Sequence, residues 1–238
     1  MREQGESTPS RPRAAQRHPV PCMAIADSRL DLVTTHQRGR PRWSRIDETD
    51  HVAIRLRRPT NDELQPLLEG GRRAQLTYSP VGLSSLHDAP AEYRLDRWQR
   101  SLGNGNGVFD SACRAVREWQ VHRGAGLVVC ADGPPSVGAV VAMSAPLPIG
   151  YIDVVCRVVT MVDERDRFGF AYGSLPVHPV QGEEAFTVTR GNAGDVAFEI
   201  VAVSRPRHPL ASLCAPVGRR LQRAATTRYL DAMSKAVS

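Results

Sequence analysis

The sequence predicts an α+β fold in which an antiparallel sheet packs against a long C-terminal helix. Between Gly126 and Ser204 apolar and polar residues alternate with a period of two, as on half-buried strands. From Pro209 onward apolar residues recur every three or four positions, which is typical of an amphipathic helix. Short connections between the strands favour antiparallel neighbours, because a parallel crossover needs about a dozen residues.

Composition divides the chain into a tail and one domain. Residues 1–51 are rich in Arg, Pro, Ser, Gln and Asp and show no sustained apolar periodicity. Such a segment cannot bury enough surface to offset the entropy lost on ordering, so we expect a disordered tail. Residues 52–238 are expected to form a single domain, since 41% of the chain is apolar and a core can form.

Several functional classes are disfavoured by composition. No apolar run of about 18 residues or more is present, and the N-terminus lacks a signal-peptide pattern, so we predict no membrane span and a cytoplasmic location. The five cysteines are scattered without C-x-x-C spacing, so we predict no metal site and no disulfide framework. The net charge is +6, but the basic residues are not interleaved with aromatics, and we predict no nucleic-acid partner. No cofactor is predicted, and the oligomeric state stays open.

The N-terminal part of the domain contains weaker signals. Thr60 and Glu63 have capping-box spacing, which predicts a helix over 61–69 that ends at Gly70 and Gly71. The length and composition of 75–79 are those of a short strand.

The G-N-G-N-G segment at 103–107 is not a phosphate loop. Its glycine spacing is wrong, no apolar strand precedes it, and no lysine follows it. We interpret it as a flexible lead into a helix over 108–120, whose apolar residues at three- to four-residue spacing face the core.

The sheet is predicted as a meander of six strands followed by the last helix. The strands are predicted at 126–131, 138–144, 148–161, 167–174, 183–190 and 196–204. Pro216 implies a kink or a late start of the helix. The apolar stripe that must pack on the sheet consists of Leu210, Leu213, Cys214, Val217, Leu221, Ala225, Tyr229 or Leu230, and Met233.

This order of elements is similar to the helix-grip plan of the START and Bet v 1 class. In that plan a curved antiparallel sheet, here of about six to seven strands, grips a long C-terminal helix. The resemblance implies a space between sheet and helix that is often a cavity for an apolar ligand.

A long motif resembles Uncharacterised Protein Family 0548, a domain of unknown function. The motif is Y-G-S-L-P-V-H-P-V-Q-G-E-E-A-F at 172–186, and it is followed by S-R-P at 204–206. The segments at 76–82 and 102–105 also resemble this family, so the similarity covers roughly residues 52–238. Ser174 and Val177 stand where the family more often has Thr and Gly. The resemblance implies no established activity.

The predicted strand at 167–174 has two unlike faces. Phe168, Phe170, Tyr172 and Ser174 share one face, and Gly169, Ala171 and Gly173 share the other. Interior glycines often mark close approach of another group. The glycine face could therefore pack against the long helix, which we favour, or form the floor of a pocket.

His178 lies on a loop stiffened by Pro176 and Pro179. Such pre-positioning suits a catalytic base or a ligand contact. A purely structural alternative is that His178 hydrogen-bonds the backbone of its own loop, and we favour this alternative because spacing assigns His178 no metal-ligand or triad partner.

Glu183 and Glu184 begin the next strand and point to opposite faces. If Phe186 faces the core, Glu184 is the carboxylate at risk of burial, while Glu183 is expected to be a bystander. Arg205, His178 and Tyr172 are possible partners of Glu184. A structural Glu184–Arg205 pair is favoured, and a Glu184–His178 acid/base pair is the sharper alternative.

The sequence therefore predicts a domain that binds a small apolar ligand between the sheet and the C-terminal helix. The candidate ligand contacts are Phe170, Tyr172, His178, Glu184 and Arg205. One alternative is an enzyme in which His178 and Glu184 act as acid and base, and another is an interaction protein with no small-molecule site. No G-x-S-x-G, H-E-x-x-H or P-loop motif is present, so conventional hydrolase or kinase chemistry is not supported.

Overall fold

Eight antiparallel strands and four helices make up the described part of the chain. The computed structural model describes residues 53–207 and 215–238, apart from the side chains of 215–218. The predicted disordered tail at 1–51 lies outside these residues. So do Leu210, Leu213, Cys214 and the Val217 side chain of the predicted helix stripe.

The elements follow one another with short connections. The strands are β1 (Ile54–Arg55), β2 (Arg94–Asn104), β3 (Val128–Ala131), β4 (Val140–Pro146), β5 (Tyr151–Glu164), β6 (Arg167–Ser174), β7 (Val180–Arg190) and β8 (Asp195–Pro206). The helices are α1 (Asn61–Arg73), α2 (Asn106–Arg117), α3 (Gln120–Gly124) and α4 (Ala215–Val237), with a 3-10 turn at Leu83–Ser85.

The sheet is the predicted meander, extended by one strand at its edge. The strand order is β2-β8-β7-β6-β5-β4-β3, with β1 paired to β5 outside this path. Each pairing is antiparallel. The curved antiparallel sheet with its C-terminal helix is a helix-grip fold, which confirms the predicted fold class.

Sequence reasoning misassigned two segments near the N-terminus. β2 was not predicted, because its sequence lacks the alternation of apolar and polar residues. Several of the side chains that face inward are themselves polar or charged. A strand therefore does precede the G-N-G-N-G segment. The strand predicted at 75–79 is wrong: the segment is irregular, and the Thr77 backbone amide and hydroxyl both bond to Ser174.

The two faces of the sheet carry different layers. We call the face that packs against α2, α3 and α4 the inner face, and the opposite one the outer face. The inner face contributes the largest core cluster, which includes Phe170, Phe186, Phe198, Tyr229 and Met233. The outer face is covered by α1 and by the segment between α1 and β2. The resulting three layers cover the inner face and the apolar part of the outer face.

Helix α1 is longer than predicted, because Gly71 serves packing and the helix does not end at its two glycines. The predicted capping box is present, with the Thr60 backbone N–H donating to Glu63 Oε2 at 2.9 Å. The helix runs through Gly70 and Gly71 to Arg73. A Cβ at Gly71 would lie 2.7 Å from Val155 Cγ1, so only glycine allows the helix to lie this close to the sheet.

Helix α4 begins at Ala215, so Pro216 falls in its first turn, where proline is tolerated. The late start is therefore the correct alternative. Its last turns are well packed, with Tyr229, Leu230 and Met233 buried. Leu221 and Ala225, which lie earlier on the same stripe, are only half-buried. Among the described helices, none is long and apolar enough to cross a membrane.

Candidate functional site

The glycine face of β6 is the outer face. At Gly173 it packs against Tyr78, in the segment between α1 and β2. A Cβ at Gly173 would lie 2.2 Å from the Tyr78 hydroxyl, and one at Gly169 would lie 2.3 Å from the Phe186 carbonyl oxygen. The favoured interpretation, that this face takes the long helix, is wrong. The aromatic face is the inner face, where Phe170 and Tyr172 belong to the same buried cluster as Tyr229 of α4.

Glu183 is a structural anchor on the outer face and not a bystander. It is 3% exposed and accepts four hydrogen bonds from the segment that crosses this face. The donors are the Tyr78 hydroxyl (2.8 Å), the Gly82 backbone N–H (2.7 Å), and the Ser84 backbone N–H (2.9 Å) and hydroxyl (2.8 Å). Burial, followed by the bond to Glu183, raises the pKa of Tyr78 above its usual range, so this hydroxyl remains a donor.

Glu184 lies on the inner face, as predicted, and its partner is Tyr172. The Tyr172 hydroxyl donates to Glu184 Oε2 at 2.8 Å. Burial raises the pKa of Glu184 to about 7, and the bond from Tyr172 only partly opposes that shift. Glu184 nevertheless keeps part of its surface accessible. The favoured Glu184–Arg205 pair is wrong, since Arg205 bonds Gln181 at 3.0 Å and stacks on the Tyr93 ring.

A second carboxylate stands in the same row of the inner face. The register aligns Asp96 with Ala202, Ala202 with Glu184, and Glu184 with Tyr172. Two strand spacings separate Asp96 from Glu184, roughly 10 Å between Cα atoms. Arg94 Nε donates to Asp96 Oδ1 at 3.0 Å, whereas Asp96 Oδ2 is buried without a partner in the described residues. Sequence reasoning missed Asp96 because it missed β2.

His122 is the most unusual polar residue of this region. It is 1% exposed, and neither ring nitrogen has a hydrogen-bond partner among the described residues. Five aromatic rings surround it at centroid distances of 4.7 to 6.1 Å, those of Trp119, Phe170, Tyr172, Phe186 and Tyr229. Burial lowers the pKa of His122 to about 3, so the imidazole is neutral. No sequence signal marked it, because its neighbours come from distant elements.

Tyr229 and Cys156 complete the polar end of the inner face. Burial, and then the nearby Glu184 carboxylate, raise the pKa of both groups well above their usual values. Each therefore keeps its proton and can act as a hydrogen-bond donor. We call Asp96, His122, Tyr172, Glu184 and Tyr229 the inner polar set.

The deeper part of the space between sheet and helix is filled by side chains. Phe186 stacks on Phe170 and Phe198 at centroid distances of 5.6 and 6.4 Å and meets Tyr229 edge-on at 5.3 Å. Two clefts lie elsewhere, one of about 440 Å³ beside α2 and one of about 270 Å³ on the outer face.

His178 and Glu184 have separate partners. His178 Nδ1 lies 3.0 Å from the Val180 carbonyl oxygen and 3.2 Å from its backbone nitrogen, as the structural alternative predicted. Burial lowers the pKa of His178 to about 4, and Arg207 contributes to that shift. Neither residue is among the causes of the other's pKa shift, so nothing in this geometry favours an acid/base pair.

Val177 has a backbone conformation that residues with a Cβ rarely adopt. Its φ is +85°, a left-handed value that costs most L-residues about 1 to 2 kcal/mol and that glycine adopts freely. We expect Val177→Gly to be about 1 kcal/mol more stable than Val177→Ala, the reverse of the usual order. Both variants lose the two Cγ methyls that pack against the α1 cluster, and the glycine variant also loses Cβ, so a more stable glycine variant in denaturant unfolding shows that the backbone effect outweighs that further loss. A more stable alanine variant would contradict the strained conformation.

Comparisons with known proteins agree with the resemblance seen in the motif. A family model described as a domain of unknown function (DUF1990) matches residues 77–232. A UPF0548 protein of Deinococcus radiodurans is 29% identical over 194 residues, covering 76% of this chain and 97% of that protein. A UPF0548 protein of Dictyostelium discoideum is 25% identical over 205 residues, with 76% and 94% covered. A crystal structure of a hypothetical Helicobacter pylori protein is similar with a TM-score of 0.48 and 9% identity, covering 69% of this chain and 97% of that chain.

Proposed function

We propose that this chain, which belongs to the DUF1990 family of domains of unknown function, binds a small, largely apolar molecule. The molecule lies between the sheet and α4, at the Glu184 end. It carries at least one hydrogen-bond donor, which bonds to the inner polar set.

The observation that carries the proposal is the unpaired polar atoms on the inner face. Nearly all buried polar groups in folded proteins have a partner, and an unpaired one costs about 1 to 3 kcal/mol. Asp96 Oδ2 and both His122 nitrogens have none in the described residues. Asp96 Oδ2 is an acceptor, and a neutral imidazole offers one acceptor and one donor. Donors on a ligand would satisfy these acceptors.

The surroundings suit an otherwise apolar molecule. The next inward-facing side chains along β6, β7 and β8 are aromatic and aliphatic. Among them, Phe170, Phe186 and Ile200 are fully or almost fully buried. Pockets of this composition, apolar with a few converging polar groups, are typical of small-molecule sites. Tyr172 holds the Glu184 carboxyl in place and so fixes the direction of a ligand bond.

Entry is proposed under the first half of α4. Leu221 and Ala225 are half-buried, whereas Tyr229 and Met233 are buried, so the helix is held mainly through its last turns. A small outward movement of the first turns would expose Glu184 without disturbing the aromatic cluster.

The experiment is a fluorescence titration with N-phenyl-1-naphthylamine, an apolar dye with one N–H donor. We expect saturable one-to-one binding, weakened about tenfold by either His122→Phe or Glu184→Gln, according to which of the two acceptors the single N–H bonds, since one hydrogen bond is worth about that factor. His122→Phe should also raise the stability of the unliganded protein, because it removes buried polar atoms that have no partner.

The matched control is Glu199→Gln, which changes a carboxylate of the outer face on β8. It should leave the affinity for the dye unchanged. Absence of saturable binding, or equal affinity in all four proteins, would contradict the proposal. Native mass spectrometry of the purified chain adds a second readout, in which a natural ligand appears as a discrete added mass.

A further inference from the structure

Three large aliphatic side chains stand exposed at one end of the sheet. Ile54 is 63% exposed, Leu56 is 88% exposed and Ile149 is 80% exposed. We call these three residues the rim patch. Single exposed aliphatics are ordinary, but a cluster of nearly bare ones marks an interaction surface.

The three residues are neighbours in space and not only in exposure. Ile54 pairs with Ile152 on β5, just beyond the turn that contains Ile149. A Cβ at Gly150 would lie 2.2 Å from the Arg55 carbonyl oxygen and 3.4 Å from Leu56 Cα, so the turn rests directly on the β1 segment. The patch is therefore a projecting rim made of a turn and an edge strand, and it is not a groove.

Positive charge surrounds this rim. Residues 53–60 contain three arginines, of which Arg55 is paired with Asp153 and Arg57 with Glu63, so Arg58 is the arginine of this stretch with no ion pair among the described residues. Residues 215–230 contain four arginines and no carboxylate. Arg228 donates to the Pro146 carbonyl oxygen at 3.3 Å, which brings the arginine-rich half of α4 to the end of β4 that leads into the Ile149 turn. Arg58, Arg219, Arg220 and Arg223 are exposed.

We propose that the rim patch docks on an anionic lipid bilayer. Projecting aliphatic side chains insert among the acyl chains at the surface, while the flanking guanidinium groups attract phosphate and carboxylate headgroups. A protein partner is disfavoured, because interface cores are built around aromatic anchors and buried pockets, and this rim offers neither. The inference does not depend on the proposed ligand site.

The test is co-sedimentation of the full chain with vesicles of two compositions. One is pure phosphatidylcholine, and the other contains about 30 mol % phosphatidylserine, which supplies the negative surface that attracts arginine. We expect binding to the anionic vesicles, at least tenfold weaker binding to the neutral ones, and weakening by added salt. The double variant Leu56→Ser and Ile149→Ser should lose at least tenfold in affinity for the anionic vesicles.

The matched control is Val137→Ser. Val137 is 67% exposed, but it lies in the β3–β4 connection at the opposite end of β4. It should bind vesicles like the unaltered chain, and the thermal unfolding of all variants should be unchanged because the replaced side chains are exposed. Failure to bind anionic vesicles, or equal binding by the double variant, overturns the proposal. A dimer that the double variant dissociates in size-exclusion chromatography would assign the patch to a second copy and overturn it as well.

Discussion

Replacing Glu183 by alanine is expected to lower the free energy of unfolding by about 3 kcal/mol or more, because it orphans four donors at once. The carboxylate holds the segment from Tyr78 to Ser84 against the outer face. Bonds to a charged acceptor contribute about 1.5 to 3 kcal/mol each in favourable cases, and buried donors left unpaired add a penalty. The loss should be seen as a lower denaturant midpoint.

Two further variants separate the hydrogen bonds from other effects. Glu183→Gln keeps one acceptor oxygen and should lie between the unaltered chain and the alanine variant. Glu199→Ala removes a carboxylate from the same face of the sheet whose ion-pair contact with Arg97, at 3.9 Å, is long and partly exposed, so it should change stability by less than about 0.5 kcal/mol. Equal effects of Glu183→Ala and Glu199→Ala would contradict the anchoring role.

The stability difference between the unaltered chain and Glu184→Gln is expected to change by roughly 2 to 3 kcal/mol between about pH 4.5 and pH 7, after allowing for partial solvent access. The folded-state pKa is raised to about 7 from 4.5, so the native state retains its proton in a range where the unfolded chain has lost it. Proton loss from the unfolded chain alone lowers the stability of the unaltered protein as pH rises through this window.

Glutamine cannot ionise and can still accept a bond from Tyr172, so the variant should be the more stable protein above pH 7. Taking the difference between the two proteins is essential, because His122 and His178 titrate in the opposite sense. Their pKa values are lowered to about 3 and 4, and they destabilise the fold as pH falls below about 6.5. Denaturant midpoints across this pH range measure the difference, and a flat difference would contradict burial of the Glu184 carboxyl.

Much of the architecture was predictable because period-two alternation reports directly on a sheet with one face in the core. The strands from β3 to β8 and the late start of α4 follow from that pattern and from proline chemistry. β2 escaped because it is an edge strand whose inward side includes Asp96 and Arg100 as well as Trp98. Its burial depends on pairing with β8 about a hundred residues later, and no local pattern reports that.

The candidate site also has features that the sequence predicts and features that only tertiary contacts decide. The opposite orientations of Glu183 and Glu184 follow from the geometry of a strand alone, and so does the separation of the aromatic and glycine faces of β6. Which layer covers each face does not follow. The Tyr78–Ser84 segment reaches the outer face through tertiary contacts, and so it is Glu183 that becomes the fully bonded carboxylate.

By itself, the sequence determined the fold class, the family and which side chains share each strand face, because these depend on local periodicity and on a long motif. The tertiary structure decided which polar groups lack partners. Asp96 and His122 lack partners among the described residues, whereas Glu184 accepts a bond from Tyr172. The three residues belong to separate elements, and only the packing of β2, α3 and β7 brings them to the same face of the sheet. Partnership between buried groups is a property of the assembled core, where a missing hydrogen bond has a cost that a local sequence pattern does not reveal.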